Sequence, residues 1–293
     1  MTVGVPRIFD QPLRRSHLGR IAASMPCFYA QALAGELEDR LAFILRDFKT
    51  TLLFGPAAGE IRSSLAATHR LGRIVTAAPA SGPGIDLVFE DEASPFAEAS
   101  LDCVISLFSL NSVNDVAGSL AQFRLALRPD GLFLAALFAG RTLVELREAW
   151  LASEAEVSGG ASLRVAPFAD TRDLGSLLQR AGFALPAVDV DVTTVRYRNA
   201  LALMREIKAL GFQHALAERS RRPVTAELLA RAAGFYDAHH ADADGRVRAT
   251  IETAWLIGWA PHASQQQPLR PGSAKARLAD ALKTQEVRLK RDH

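Results

Sequence analysis

The stretch that decides the fold runs over residues 101–138. It begins Leu101-Asp102-Cys103-Val104-Ile105-Ser106-Leu107 and continues past Asn114-Asp115 to Leu127. It closes with Arg128-Pro129-Asp130-Gly131 and the run Leu132–Phe138. The first seven residues are a short apolar run of strand length. Either Asn114 or Asp115 can cap a helix that runs to Leu127, and Pro129 with Gly131 makes a turn. Leu132–Phe138 is apolar on both faces, as a central parallel strand must be.

The same grammar extends in both directions. Upstream, Leu33, Leu37, Leu41, Ile44, Leu45 and Phe48 predict a helix over 29–48. Thr50–Phe54 predicts a buried strand ending at Gly55. A helix over 60–69 and strands over 73–77 and 85–89 follow. Downstream, helices are expected over 142–156, 173–181 (stopped by Gly182), 199–210 and 224–239. In 187–195, Val188, Val190 and Val192 alternate with polar residues, which predicts a half-exposed edge strand. Residues 250–259 predict the last strand. Seven strands separated by helices make an α/β, doubly wound, mostly parallel sheet.

No linker rich in Gly, Ser or Pro divides the chain. The expected organisation is an N-terminal helical segment (1–48), one α/β domain (49–262) with helical insertions at 142–185 and 199–245, and a basic tail (263–293). In that tail Arg270, Lys275, Arg277, Lys283, Arg288, Lys290 and Arg291 outnumber Asp280, Glu286 and Asp292. It reads as a solvated tail, with docking to an acidic or membrane-associated partner as the alternative.

Composition excludes several classes. The 293 residues hold 34 Lys and Arg against 32 Asp and Glu, with 49% hydrophobic and 23% charged residues. That is neither a disordered chain nor a strongly basic nucleic-acid coat. Cys27 and Cys103 are too few for a disulfide scaffold. Residues 1–10 hold no apolar core of a secretory signal. The runs Leu132–Ala139 and Ala254–Ala260 fall short of the roughly 20 residues a transmembrane helix needs. A cytoplasmic protein is expected.

In an open parallel sheet, ligands sit beyond the carboxyl ends of the strands. The loop after the first strand reads Phe54-Gly55-Pro56-Ala57-Ala58-Gly59-Glu60, and its glycines suit a tight turn into a helix N-terminus. With Glu90-Asp91-Glu92-Ala93-Ser94-Pro95-Phe96 and the 101–133 stretch, the pattern resembles class I S-adenosylmethionine (SAM)-dependent methyltransferases. Outside that core the chain is similar to the methyltransferase-like assembly factors of respiratory complex I, which neighbour the malonyl-carrier-protein methyltransferases. That likeness rests on Phe9-Asp10 with Arg14-Arg15, on Arg164 to Asp170, on Asp173-Leu174, on Leu178 to Phe183, on Gly258-Trp259-Ala260-Pro261-His262 with Ser264-Gln265-Gln266, and on Leu269 to Ala274. The resemblance implies a Rossmann-like methyltransferase fold whose last strand is antiparallel, SAM as cofactor, and a protein arginine as the target of hydroxylation. It places Gly55, Ala57, Gly59, Glu90, Asp91 and Asn111 at the cofactor, with Glu90 and Asp91 suited to an adenine amino group.

The chain departs from the family pattern in the cofactor loop. Leu53 stands where an acid is usual, and Ala57 replaces the middle glycine. Ile74-Val75-Thr76-Ala77-Ala78-Pro79 offers no carboxylate for ribose hydroxyls. Asn111-Ser112 replaces a His-Trp pair. A carboxylate bonded to ligand hydroxyls contributes roughly 1.5–3 kcal/mol per bond, so SAM affinity is expected to be weak or lost. An open slot from Gly55 to Glu90 would favour an enzyme. A slot filled by Leu53, Phe54 or a collapsed loop would favour a scaffold.

Other residues carry less. His239-His240 with Asp237, Asp242 and Asp244 lack a recognisable metal-ligand spacing, and no metal is expected. Cys103 reads as a core thiol and His262 as a turn residue or substrate contact, while Arg164, Arg172 and Arg196 are candidates for holding an acidic partner. The expected function is that of a pseudoenzyme: an assembly factor, scaffold or partner of an active paralogue, with peripheral association to a respiratory complex. Protein partners are expected, and nucleic acid is not. The alternative is an active SAM-dependent methyltransferase or arginine hydroxylase acting on a protein or carrier protein.

Overall fold

A helix, α1 (Gln11–Ile21), opens the chain, followed by α2 (Cys27–Ala42). The structure, a computed structural model, describes residues 6–21, 27–68, 70–160 and 162–266. After α2 come β1 (Phe48–Phe54), α3 (Ala58–Ala66), β2 (Leu71–Ala78), β3 (Leu87–Val88), β4 (Leu101–Leu107), a 3-10 turn (Leu110–Ser112) and α4 (Val116–Ala126). The second half adds β5 (Leu127–Phe138), α5 (Val144–Ser158), α6 (Thr171–Arg180), β6 (Ala184–Tyr197), α7 (Ala200–Ala209), α8 (Ala226–His240) and β7 (Val247–Trp259).

The strands form one seven-stranded sheet in the order β3-β2-β1-β4-β5-β7-β6. The ladder from β3 to β5 is parallel. β7 is antiparallel to both β5 and β6, and β6 is the edge strand its alternation predicts. Successive residues of the central strands feed opposite cores. Leu53, Ile105 and Leu134 pack under α2 and α3 with Leu37, Leu41 and Ile61. Leu52, Val104 and Phe133 pack under α4 and α6 with Phe123 and Leu178. A third cluster joins α5, α7 and α8 to β7 through Trp150, Leu203 and Tyr236. The described residues up to Pro261 form one compact unit, and 262–266 belong to a separate one. Most of the basic tail lies outside the described residues, including Arg270, Lys275, Arg277, Lys283, Arg288, Lys290 and Arg291.

Several boundaries differ from the sequence reading. α2 stops at Ala42, and Leu45 is 88% exposed. Leu33, Leu37 and Leu41 keep helical spacing and Ile44 still packs on the same core beyond the helix end, while Phe48 is taken into β1. The expected turn at Arg128-Pro129-Asp130-Gly131 is an excursion inside β5. Leu101 opposes Leu127 and Cys103 opposes Leu132, so the ladder resumes beyond it. Asp130 takes φ 65° there. β3 shrinks to two residues because the segment before it folds back on β2. α1, rich in polar residues, showed no apolar periodicity.

Candidate functional site

The strand order reverses between β1 and β4, which places the crevice beyond their carboxyl ends. Gly55 turns the chain there with φ +137°, and a Cβ on it would lie 2.2 Å from the Leu107 carbonyl oxygen. This glycine is therefore demanded by the approach of β4. Ala57 is buried at the N-cap of α3 and supplies no capping side chain. A Cβ on Gly59 would lie 2.1 Å from the Pro83 carbonyl oxygen, so the segment after β2 rests directly on the turn.

That segment is folded by a carboxylate from beyond the strand. Asp86 Oδ2 accepts from the Thr76 amide at 3.0 Å, and Arg62 Nη1 donates to both Asp86 oxygens at 3.0 Å. The Thr76 hydroxyl donates to the Gly84 carbonyl at 2.5 Å. The bond from the Thr76 amide leads the causes that hold the Asp86 carboxyl below its ordinary value. An acid thus reaches β2 from outside it, with its bonds spent on Thr76 and Arg62. On this side of the turn the space is about 50 Å³, lined by Leu18 of α1, Gly59, Ala78 and residues 80–85. Ligand pockets for drug-sized molecules run to roughly 300–1,000 Å³. Leu53 and Phe54 fill none of it, because both are buried in the two cores.

Glu90 and Asp91 follow β3 and are engaged by α1. Arg14 Nη1 donates to Asp91 Oδ2 at 2.9 Å. Its Nη2 donates to the Ser109 carbonyl and hydroxyl oxygens, both at 2.9 Å. The Ser109 hydroxyl in turn donates to Asp91 Oδ1. Arg14 is 6% and Asp91 1% exposed, so this is a buried network. Arg15 Nη1 lies 3.1 Å from Glu90 Oε1. Burial raises the Glu90 carboxyl, against the opposing pull of Arg14 and Arg15. α1 is also tied at its start, where Asp10 Oδ1 accepts from the Leu13 amide and Arg219 donates to Asp10 Oδ2. Asn111 uses both ends of its amide on the Phe138 backbone, donating at 2.9 Å and accepting at 3.0 Å.

The six sequence candidates therefore lie along one carboxyl edge. Gly55, Ala57 and Gly59 make its turn. Glu90 and Asp91 hold arginines, and Asn111 pins the 3-10 turn to β5. The residues present do not fit an ordinary SAM site, because the end of β2 offers Ala77, Ala78 and Pro79 and no carboxylate, and Glu90 and Asp91 already face arginines of α1.

On the β4 side the edge opens into a cavity of about 1300 Å³. Arg14, Phe108 and Asn111 line one end, and Trp150, Tyr197 and Glu206 line another part of its wall. The Tyr197 hydroxyl bonds the Glu206 carboxylate, and burial, more than that bond, raises its pKa. His214, also in the wall, is pushed down to about 4, mainly by burial. Arg164 donates to Glu154 at 2.7 Å. Burial works to raise the Glu154 carboxyl, but bonds from Ser162 and Arg164 outweigh it and hold the group low. Sequence reasoning did not assign roles to Thr76, Asp86, Tyr197, Glu206 or His214. For these five no local signal was available, whereas the α1 network had one in the Arg14-Arg15 and Glu90-Asp91 doublets far apart in the chain.

The remaining candidates have other partners. Asp242 and Asp244 hold Arg196, Asp237 accepts from the Ala200 amide, and His239 Nδ1 bonds the Phe235 carbonyl. Among the described residues no His/Cys/Asp/Glu group suits a metal. Burial raises the Cys103 thiol. His262 Nδ1 lies 2.7 Å from the Ser264 hydroxyl in a local turn.

A methyltransferase-domain family model matches residues 28–188. The mitochondrial arginine-hydroxylase NDUFAF5 of Mus musculus is 33% identical over 295 residues, which cover 96% of this chain and 85% of that protein. Its counterpart in Dictyostelium discoideum is 36% identical over 70% of this chain, which spans only 47% of that longer protein. The malonyl-[acyl-carrier protein] O-methyltransferase of Laribacter hongkongensis is 37% identical over 69% of this chain and 64% of its own. Among solved structures, the YcgJ protein of Bacillus subtilis superposes with a TM-score of 0.53 at 11% identity, covering 78% of this chain and 98% of that one. That likeness is one of fold.

Proposed function

This chain belongs to the class I methyltransferase-domain family, in the NDUFAF5 subfamily, and we propose that it is an assembly factor of that subfamily with weak SAM binding. Its partner is a protein, either a respiratory-complex subunit or an active paralogue. The observation that carries this reading is the buried Arg14–Asp91–Ser109 network with Arg15 on Glu90. A cofactor seeking those acids competes with cations already in place, and it meets no acid free for its ribose at β2. Each lost charged hydrogen bond is worth roughly 1.5–3 kcal/mol, or about one to two decades of affinity. Among the described residues no helix is long and apolar enough to cross a membrane, so association with a membrane complex would run through surface contacts.

Calorimetric titration of the full chain with SAM tests this. The expected dissociation constant is about 1 mM or weaker, equivalent to about 4 kcal/mol of binding. Saturation in the low micromolar range overturns the reading.

A second reading, an active enzyme modifying an arginine of a protein partner, draws support from the large cavity that begins at Phe108 and Asn111 and from the name of the arginine-hydroxylase relatives. A SAM-dependent mass change on a partner arginine would select it.

A further inference from the structure

We propose that α1 is an autoinhibitory lid: its own arginines hold Glu90 and Asp91, and it must lift before a ligand with an adenine-like amino group can reach them. The proposal rests on the proposed function in taking those two acids as the ones a cofactor needs. Leu18 of α1 and Pro56 of the Gly55 turn each line both the space of about 50 Å³ and the cavity of about 1300 Å³. The helix and the turn therefore stand together between the two. Arg14 reaches from the same helix to both acids, 2.9 Å from Asp91 Oδ2 and 3.8 Å from Glu90 Oε2. Lifting α1 removes a wall of the narrow space and uncovers the acids in one movement.

The way α1 is seated suits a part that lifts. Phe9, just before it, and Leu18 are buried, yet neither belongs to the three apolar cores. The seat is polar instead. Besides the bonds of Arg14, Gln11 Nε2 donates to the Ser112 carbonyl at 2.9 Å, and the Phe9 amide donates to Asn114 Oδ1 at 2.7 Å. Arg219 Nη1 donates to Asp10 Oδ2 at 3.1 Å. Polar groups that part exchange one another for water, so the net cost of each bond is modest. Lifting also wets both sides of the Arg14–Asp91 pair at once, unlike a deletion that strands one charge. The fit over Glu90 is incomplete: its Oε1 is buried and accepts no hydrogen bond among the described residues, although Arg15 Nη1 lies 3.1 Å away. A buried acceptor in that state favours a ligand donor that meets it in line. A ligand that binds only the lifted form has its dissociation constant divided by the lifted fraction, so a helix lifted in about one molecule in ten weakens binding about tenfold.

The test loosens the seat at a distance from the acids. Asp10→Asn keeps an acceptor for the Leu13 amide but gives up the charge that holds Arg219, and Gln11→Ala gives up the bond to Ser112. The full chain carrying both substitutions, titrated with SAM by calorimetry, should bind about tenfold more tightly than the natural chain. Hydrogen exchange of the natural chain is the second measurement. Saturating SAM should quicken exchange at the amides of α1 while those of β1 and β4 keep their protection. An unchanged or weakened affinity in the double variant overturns the lid. So does slower or unchanged exchange in α1 with SAM bound, which would make the helix a clamp on the ligand or a bystander. Melting curves identify a folded variant, and where the double variant does not fold, exchange in the natural chain decides alone. The outcomes separate this proposal from the proposed function. Weak SAM binding of equal strength in both chains removes the lid and leaves that reading standing. Tight binding by the natural chain with quickened exchange in α1 removes that reading and leaves the lid.

Discussion

Arg14 donates to Asp91 and to both oxygens of Ser109 while its side chain is 7% exposed and that of Asp91 is fully buried. Removing the guanidinium therefore leaves a carboxylate with no cation in a place water does not reach. Breaking one side of such a pair costs about 3–5 kcal/mol, whereas replacing both sides with apolar groups is often close to neutral. Arg14→Ala should lower stability by that amount in urea unfolding, and Arg14→Met combined with Asp91→Leu should recover most of it. A loss below about 1 kcal/mol in the single variant would mean that the pair does not hold α1 to the strand ends. Gly55 belongs to the same scale. Its place in the sequence suggests a cofactor, but the Leu107 carbonyl 2.2 Å from its missing Cβ already explains it, so its presence says little about ligands.

Among the elements, β1, β4 and β5 were legible because strands buried on both faces read as continuous apolar runs, and each supplies alternating residues to the two cores. Helix starts were legible where a local side chain makes them. Asp115 accepts from the Gly118 amide to cap α4, and Asn199 accepts from the Ala202 amide to cap α7. What could not be read depends on partners distant in sequence. α1 is held by Asp91, which lies 77 residues away. The return of residues 79–86 depends on one carboxylate reaching back to Thr76. The cavity depends on how α5 and α7 are set against the sheet, which no spacing encodes. Asp86→Ala should release the returning segment, since it removes the acceptor for the Thr76 amide and for Arg62. Hydrogen exchange should then quicken at Thr76 and residues 80–86 while amides of β1 and β4 keep their protection. The expected cost is about 1–2 kcal/mol. Uniform quickening across the sheet would show instead that Asp86 supports the whole fold.

Across the whole molecule, the response to acid separates the histidines from the carboxylates. His214 is held at about 4, against 6.5 for the free imidazole, with burial as the main cause and Arg164 and Arg219 nearby. His17 is lowered in the same sense, again mainly by burial. Both are neutral in the fold and take up a proton on unfolding, so their effect on stability is absent above pH 6.5 and grows as pH falls towards 4. Asp10, Asp86, Glu154 and Asp244 are held low instead, and protonation of their unfolded forms begins only near their ordinary values of 3.8 and 4.5. Glu90 works the other way, because its raised carboxyl is relieved by protonation. The first loss of stability on acidification should therefore fall between pH 6.5 and 4 and belong to the histidines. A tenfold difference in proton affinity between the folded and unfolded chain is worth about 1.4 kcal/mol. With His214 partly open to solvent in the cavity wall, a loss of roughly 2 kcal/mol is expected after screening. Urea midpoints measured from pH 7.5 down to pH 4 should show this decline in the natural chain and flatten in His214→Phe. A decline that persists undiminished in that variant would place the proton uptake elsewhere.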